Sequence, residues 1–194
     1  MTMPAPGSYP VRFDVDYPTA TGRWLILVRW ILAIPQLMVA NVLQSLARVL
    51  AFIAFFIILF TKQYPEPIFR LVVGASRWNY NVMAYILFHD SPYPPFSFDD
   101  GAYPYLHFDV QRAAEYNRWL PLVKWLLAVP HLLVLAVLGF LAVLVWFYAV
   151  LAVVVTGSFP RGAFEFLVGV GRWSARISAY LYLQVDQYPP FSMR

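Results

Sequence analysis

Residues 23–37, RWLILVRWILAIPQL, place two Arg-Trp pairs and a proline at the start of a long apolar run, and residues 118–132, RWLPLVKWLLAVPHL, nearly repeat this arrangement. When the chain is shifted by 95 residues, 34 of 85 ungapped positions are identical between residues 13–97 and 108–192. Because no gap interrupts the match, both copies should share one fold. The chain is therefore interpreted as a tandem duplication, and residues common to both copies are expected to serve the fold rather than one unique chemistry.

Composition indicates a membrane protein. Hydrophobic residues make up 61% of the chain, charged residues 12%, and the mean hydropathy is +0.61, whereas a soluble domain is about half apolar and a quarter charged. The net charge of +4 arises from basic residues that lie beside apolar segments. Anionic lipid headgroups are therefore expected as partners, and nucleic acid is not. The absence of cysteine excludes disulfides and thiolate catalysis.

Short segments of strand character begin and end each copy. Residues 13–17 and 107–111 combine aromatic and β-branched residues between turn signals, and residues 95–98 and 190–192 are similar. If each copy crosses a membrane twice, all four segments lie on one side and can pair into a small sheet. If each crosses once, they are left as lone strands, which are seldom stable.

A long apolar stretch follows the first strand of each copy. In the first copy it covers residues 24–60, which is 37 residues and would span roughly 55 Å as one helix, against a hydrocarbon core of about 30 Å. Pro35 and its equivalent Pro130 provide a natural break. Residues 23–34 are therefore interpreted as an interfacial elbow helix and residues 37–60 as a spanning helix. The alternative is one long, tilted, proline-kinked transmembrane helix.

The predicted elbows carry side chains suited to a membrane surface. Basic residues there can extend to lipid phosphates, and tryptophans favour the headgroup level. The expected lipid contacts are Arg23, Trp24, Arg29, Trp30, Arg118, Trp119, Lys124 and Trp125.

A second helix is predicted in each copy, over residues 68–89 and 163–184, with a polar stripe in mid-segment. The stripe fits either a helix on the membrane surface or a span whose stripe faces protein. Its members at matching positions are Arg70, Gly74, Arg77 and Asn81, and Glu165, Gly169, Arg172 and Arg176. The repeated Arg-Trp pairs, Arg77-Trp78 and Arg172-Trp173, are expected either to bind phospholipid headgroups or to anchor helix ends through cation–π and carbonyl contacts.

The predicted fold is an all-α integral membrane protein with two parallel tandem repeats. Each repeat has an interfacial elbow helix and two membrane helices, with a small β-strand cluster on the terminal side. Seven basic residues on that side against three in the opposite loops predict cytoplasmic termini. The expected divisions are a tail at 1–12, repeats at 13–97 and 108–194, and a linker at 98–107.

The repeated motifs RWL-x-LV-[RK]W, T-x-x-[YF]P, G-x-x-RW and YPPFS resemble those of the bacterial membrane family catalogued as domain of unknown function 4389. The resemblance covers nearly the whole chain in two copies. It implies residence in the bacterial inner (cell) membrane and this repeat architecture, and it offers no activity, cofactor or catalytic residue.

The copies differ most unusually at Arg48, which stands in the middle of the first apolar helix where the second copy has Val143. A charge at that depth costs at least about 2.5–3.5 kcal/mol, so a compensating partner is expected. Asn41, Gln44 and Arg48 form a polar stripe that the second copy lacks. Three interpretations are open: an ion or substrate path, an internal contact with the helix that carries Asn79 or with a carboxylate or lipid phosphate, and docking to a neighbouring subunit.

No catalytic, cofactor-binding or metal-binding motif is recognisable, and Asp90, Asp99 and Asp100 are expected to solvate the linker. The leading hypothesis is a non-enzymatic membrane accessory or scaffold subunit that packs against a larger membrane complex, forms a homo-oligomer or organises lipids. The alternative is a small oligomeric channel or transporter, lined by Arg48 and the stripe with Arg77 and Arg172.

Overall fold

A computed structural model describes residues 9–18, 22–89 and 92–194, in which five helices and two strands are present. The strands are β1 (Val11–Val15) and β2 (Leu106–Val110). The helices are α1 (Leu25–Leu32), α2 (Ile34–Thr61), α3 (Glu66–Leu87), α4 (Leu120–Thr156) and α5 (Arg161–Leu181). The chain is thus mostly helical with a small two-stranded sheet.

The sheet joins the two copies. β1 and β2 pair antiparallel in a register that sets Phe13 opposite Phe108, its equivalent 95 residues later. This pairing relates the two copies by a local two-fold axis through the phenylalanine pair. Each strand packs on a helix of the other copy, because β1 contacts α5 and β2 contacts α3. The copies therefore exchange strands.

The YPPFS segments are not strands, so the prediction at 95–98 and 190–192 is wrong. Prolines remove main-chain donors that a ladder would need, and the chain just after each YPPFS instead lies against a helix glycine. A Cβ on Gly74 would come within 2.9 Å of the Phe98 side chain, and one on Gly169 within 2.9 Å of Met193. These glycines permit the close approach of an irregular segment.

The long and short helices of each copy form an antiparallel pair, α2 with α3 and α4 with α5. The face of α2 towards α3 is made of small residues, namely Ala40, Ala47, Ala51 and Ala54. Such residues let two helix backbones approach closely. The Gln44 side chain spans this contact and donates to the Ala75 carbonyl at 3.2 Å.

Proline affects the two copies differently. In the first copy α1 ends just before Ala33, and Pro35 lies in the first turn of α2, where a missing N–H is tolerated. In the second copy α4 continues through Pro130 as one helix of 37 residues, which differs from the predicted separate elbow. A tyrosine hydroxyl donates to a carbonyl beside each proline, from Tyr93 to Leu32 at 3.1 Å in the first copy.

The sheet runs alongside the short helices rather than across one end of them. In β2 the Phe108 carbonyl accepts from Arg77 in mid-α3, and Arg112 just beyond the strand donates to the Tyr64 carbonyl before α3 begins. Leu106, at the other end of β2, lines a cavity together with residues from the end of α3. Three layers result: the sheet, then α3 and α5, then α2 and α4.

Two of the described helices, α2 and α4, are long and apolar enough to cross a membrane, and α3 and α5 do not meet this criterion. Only two of the four predicted spans therefore have the composition of a span.

The predicted separation of loops across a membrane is wrong. The turns after α2 and α4 were expected on the side opposite the strands and elbows. Instead, the Tyr116 main chain donates to the Lys62 carbonyl at 2.8 Å, and the Tyr17 hydroxyl donates to the Phe159 carbonyl. These contacts bring each turn to the segment that precedes the other copy's long helix. They follow from the sheet running parallel to α3 and α5.

Candidate membrane interface

The protein has two chemically opposite faces. On the outer layer, the sides of α2 and α4 that turn away from α3 and α5 expose large apolar side chains along their lengths. Examples are Met38, Val42, Phe52, Phe56 and Phe60 on α2 and Leu133, Val137, Phe140, Phe147, Leu151 and Val155 on α4. On the opposite layer, the sheet alternates a buried apolar face with an exposed polar one that carries Arg12, Asp14 and Asp109. An exposed apolar surface of this extent marks a binding surface.

Four tryptophans are at the surface, two at α1 and two at the start of α4. The exposed fractions are 74% for Trp24, 52% for Trp30 and 64% for both Trp119 and Trp125. Arg23 is also exposed, and Arg118 is half-buried. These six residues are available for the predicted lipid contacts, which stay a prediction.

Arg29 and Lys124 lie inside the protein, which differs from the expectation that they reach lipid phosphates. Arg29 is fully buried and donates to the Tyr85 carbonyl at 3.0 Å. Lys124 is 1% exposed and its Nζ donates to the Val185 carbonyl at 2.7 Å and to Asp186 Oδ1 at 2.8 Å. Both positions lie on the helix face that turns towards the core, so their charges are matched by internal oxygens.

Arg77 anchors the exchanged strand. Its Nε donates to the Phe108 carbonyl of β2 at 3.0 Å, and its Nη1 donates to the Phe98 carbonyl at 2.7 Å. The carboxylates of Asp109 and Asp100 lie 3.6 and 3.7 Å from the guanidinium. The side chain is only 10% exposed, so these main-chain carbonyls are its principal partners.

Arg172 makes the equivalent contacts in the second copy. Its Nε donates to the Phe13 carbonyl of β1 and its Nη1 to the Met193 carbonyl, both at 3.0 Å. Its Nη2 lies 3.1 Å from Asp14 Oδ1. Both arginines thus bond main-chain carbonyls, but they join the middle of a helix to a strand of the other copy rather than anchoring a helix end. The cation–π contacts that the described residues make involve other side chains.

The tryptophans beside these arginines are buried and bonded to a polar residue that follows the helix proline. Trp78 Nε1 donates to Gln36 Oε1 at 2.8 Å, and Gln36 Nε2 donates to the Pro94 carbonyl at 2.7 Å. In the second copy Trp173 Nε1 donates to His131 Nδ1 at 3.1 Å. The hydrogen bonds that Gln36 and His131 make to these tryptophans were not predicted from the sequence. The available signal was that both copies place a hydrogen-bond acceptor directly after the proline.

The polar stripe of α2 is divided between the interior and the surface. Gln44 is internal, because its amide bonds Ala75 and its Oε1 accepts from the Tyr182 hydroxyl at 2.9 Å. Asn41 and Arg48 are exposed. Arg48 Nη2 donates to the Ser45 hydroxyl of its own helix at 2.9 Å, so the predicted contact with the Asn79 helix is made by Gln44 instead.

Arg48 borders an apolar groove of about 360 Å³ between the copies. The lining residues are Arg48, Ala51, Phe52 and Phe55 of α2, Pro121, Lys124 and Trp125 of α4, and Leu181, Tyr182 and Leu183 at the end of α5. One of the exposed apolar residues of α2, Phe52, is among the lining residues.

The acidic linker is exposed, as the solvating role would require. Asp99 accepts a hydrogen bond from the Ser97 hydroxyl at 2.8 Å, and the Asp100 side chain is 64% exposed. Asp90 lies outside the described residues. The role of these carboxylates stays a prediction.

Two tyrosines are buried where the copies meet. The Tyr116 hydroxyl donates to the Gln184 carbonyl at 3.1 Å, and its ring packs 5.9 Å from that of Tyr64. Burial raises the pKa of Tyr116 to about 12 and also raises the pKa of Tyr64. Both side chains are therefore neutral hydrogen-bond donors at physiological pH.

The architecture defines a class: a mostly helical protein of two equivalent copies that exchange strands and present two long apolar helices on one face. The family profile described as a domain of unknown function (DUF4389) matches twice, over residues 23–97 and 119–193. The chain belongs to this family and holds two copies of its domain in tandem, which confirms the resemblance. No curated protein and no solved structure matches the chain significantly.

Proposed function

We propose that this protein is a non-enzymatic scaffold of the bacterial cell membrane that organises lipids or packs against a larger membrane complex. The single observation that carries the proposal is the opposition of the apolar α2–α4 face to the charged outer face of the sheet. A lipid bilayer offers the same two environments, hydrocarbon beside water. The four exposed tryptophans that precede or begin the long helices, together with Arg23, suit the boundary between them.

The proposed orientation sets α2 and α4 along one leaflet, with the sheet and the termini in water. If α2 instead crossed the bilayer, the sheet, which runs alongside α3, would lie at the depth of the hydrocarbon. The exposed charges of Arg12, Asp14 and Asp109 would then each cost at least about 2.5–3.5 kcal/mol, and open strand edges do not occur in lipid. The two-fold axis of the copies then stands along the membrane normal, so both copies meet the membrane in the same way.

We assign the aqueous side to the cytoplasm, because no polar segment then has to be carried across the membrane. The chain contains no cysteine, so single cysteines at Gln63 and Asp100 test the orientation directly. With a membrane-impermeant maleimide, both positions should label from the cytoplasmic side. A control cysteine at Phe140, which is 66% exposed on α4, should be protected by lipid. Labelling of Gln63 and Asp100 from opposite sides would show that the chain crosses the bilayer and would refute this orientation.

The scaffold role is tested by purification from native membranes in mild detergent, followed by mass spectrometry of proteins and lipids. Co-purification of a defined membrane complex, or enrichment of particular lipids over the bulk membrane, is the expected result. A monomer with bulk lipid composition and no associated protein would contradict it.

The channel or transporter hypothesis receives no specific support. It needs Arg48 on a pathway between helices, whereas Arg48 is exposed on the outer side of α2 and bonds its own helix. Gln44, the stripe residue that does face inwards, is bonded on both its amide atoms.

A further inference from the structure

We propose that the groove beside Arg48 binds one anionic phospholipid, with the lipid phosphate at the guanidinium and an acyl chain in the groove. This inference rests on the proposed membrane residence and adds a specific site to it. It concerns only the first copy, because Val143 replaces Arg48 in the second.

The guanidinium of Arg48 is the first feature that points to an anionic ligand. Arg48 stands on the apolar side of α2, with Val49 and Phe52 beside it exposed at 56% and 65%. Among the residues that the structure describes, no carboxylate lies within ion-pair distance of its guanidinium. Its one hydrogen-bond partner there is the neutral Ser45 hydroxyl. An arginine on a membrane face without a protein counter-charge is suited to an anion that the membrane itself supplies.

The volume and the lining of the groove are those of a ligand site. Its volume of about 360 Å³ falls within the range of ligand pockets, about 300–1,000 Å³. Phe52, Phe55, Trp125 and Leu181 form apolar walls, and Arg48 lies at one border. An apolar groove with an arginine among its lining residues matches a phospholipid, in which a phosphate adjoins a hydrocarbon chain.

The groove has one other cation, and this cation is not available to bind the phosphate. Lys124 also lines the groove, but its ammonium group is held by Asp186 and the Val185 carbonyl. Arg48 is therefore the cation that remains for a ligand. Guanidinium groups bind phosphate oxygens through two parallel hydrogen bonds, which makes arginine better suited to this task than a point charge.

The test uses native mass spectrometry of the full-length chain in mild detergent, with phosphatidylglycerol and phosphatidylcholine as probes. Wild type should retain one phosphatidylglycerol at least about tenfold more tightly than phosphatidylcholine, a difference of about 1.4 kcal/mol. Arg48→Leu should abolish this preference. The matched control is Arg70→Leu, which removes an exposed arginine that is paired with Glu66, and it should bind as wild type does.

Two further measurements distinguish a lipid site from a simple anion site and from a loss of folding. Leu181→Trp should fill the groove and weaken phosphatidylglycerol binding while Arg48 is retained, and thermal unfolding of each variant should match wild type. Inorganic phosphate at millimolar concentration should not displace the lipid, since it lacks the acyl chain; displacement would show an anion site only and overturn the proposal. Equal binding of both lipids by wild type, or unchanged preference in Arg48→Leu, would also overturn it.

Flotation with vesicles distinguishes the site from the proposed function. If Arg48→Leu floats with mixed phosphatidylcholine and phosphatidylglycerol vesicles as wild type does but loses the bound lipid, the site is established as a separate feature. If wild type does not float at all, the membrane scaffold itself is refuted.

Discussion

Replacing Arg77 with leucine should destabilise the protein by about 3–6 kcal/mol. The guanidinium donates two hydrogen bonds to main-chain carbonyls, at 3.0 Å to Phe108 and 2.7 Å to Phe98, from a side chain that is 10% exposed. A hydrogen bond from a charged donor contributes about 1.5–3 kcal/mol. The nearby carboxylates of Asp100 and Asp109 are mostly exposed and add little.

The second copy supplies a matched comparison. Arg172 donates to two carbonyls in the same way, but its side chain is 26% exposed. Water therefore replaces part of the hydrogen bonding that the mutation removes from these carbonyls. We expect Arg172→Leu to cost about half as much as Arg77→Leu. Arg77→Lys keeps the charge but cannot donate to both carbonyls in a fork, and it should recover less than half of the loss.

The assay is thermal unfolding in mild detergent, followed by tryptophan fluorescence. For a chain of this size 1 kcal/mol shifts Tm by about 2–4 °C, so Arg77→Leu should lower Tm by roughly 6–24 °C. Equal shifts for Arg77→Leu and Arg172→Leu would refute the argument from burial. Full recovery in Arg77→Lys would refute the argument from the fork, since charge alone would then suffice.

Three further predictions concern packing, hydrogen bonding and pH. Gly169→Ala should destabilise the protein by about 1–3 kcal/mol, because the new Cβ would lie 2.9 Å from Met193 Cβ. Gly139→Ala meets open space and should stabilise α4 by about 1 kcal/mol. Thermal unfolding of the two variants should therefore show changes of opposite sign. Gln36→Leu removes two buried hydrogen bonds and should cost about 1–3 kcal/mol in denaturant unfolding, and a change below 0.5 kcal/mol (about a third of one typical bond) would contradict it. The pKa of Tyr116 is raised in the fold to about 12 from 10.0, so the native state keeps a proton that the unfolded chain releases, and stability should fall as pH rises from 10 to 12. Tyr116→Phe should flatten that fall in urea midpoints measured against pH, and an unchanged slope would show that this hydroxyl is not its source.

The elements that local pattern specifies were predicted well. The second helix of each copy was expected at 68–89 and 163–184, and the structure has α3 at Glu66–Leu87 and α5 at Arg161–Leu181. The leading strands were also predicted to within two residues at either end. Alternation, helical periodicity and proline placement decide these elements, and all three can be read from a single sequence.

The topology could not be predicted in the same way. Whether a strand packs on its own copy or on the other is decided by tertiary contacts, such as the bond from Arg77 to the Phe108 carbonyl. The repeat makes the two choices look identical in sequence, because Phe13 and Phe108 occupy the same position in their copies. Strands packed within one copy would leave the turns free to lie across a membrane, whereas the exchanged strands bring the turn at Lys62 to the main chain of Tyr116.

The candidate site was predicted in part. The side chains are exposed for four of the tryptophans expected to contact lipid, namely Trp24, Trp30, Trp119 and Trp125. Residue type did not separate Arg23, which is exposed, from Arg29, which is buried. Both stand beside a tryptophan, and only the orientation of the helix towards the core distinguishes them. Composition alone favours an exposed position for both.

Strand exchange has a consequence for how such a chain could arise. A single copy would leave its short helix without the strand that covers it, so a one-copy ancestor would have to assemble as a symmetric pair of chains. Joining two copies makes that assembly intramolecular, at an effective concentration in the millimolar range for short connections, and it no longer depends on how much protein the cell makes. After the two copies are joined, the sequence of one half can also change while the other stays the same. Arg48 and Val143 are such a difference, since one half carries a charge where the other has an apolar side chain.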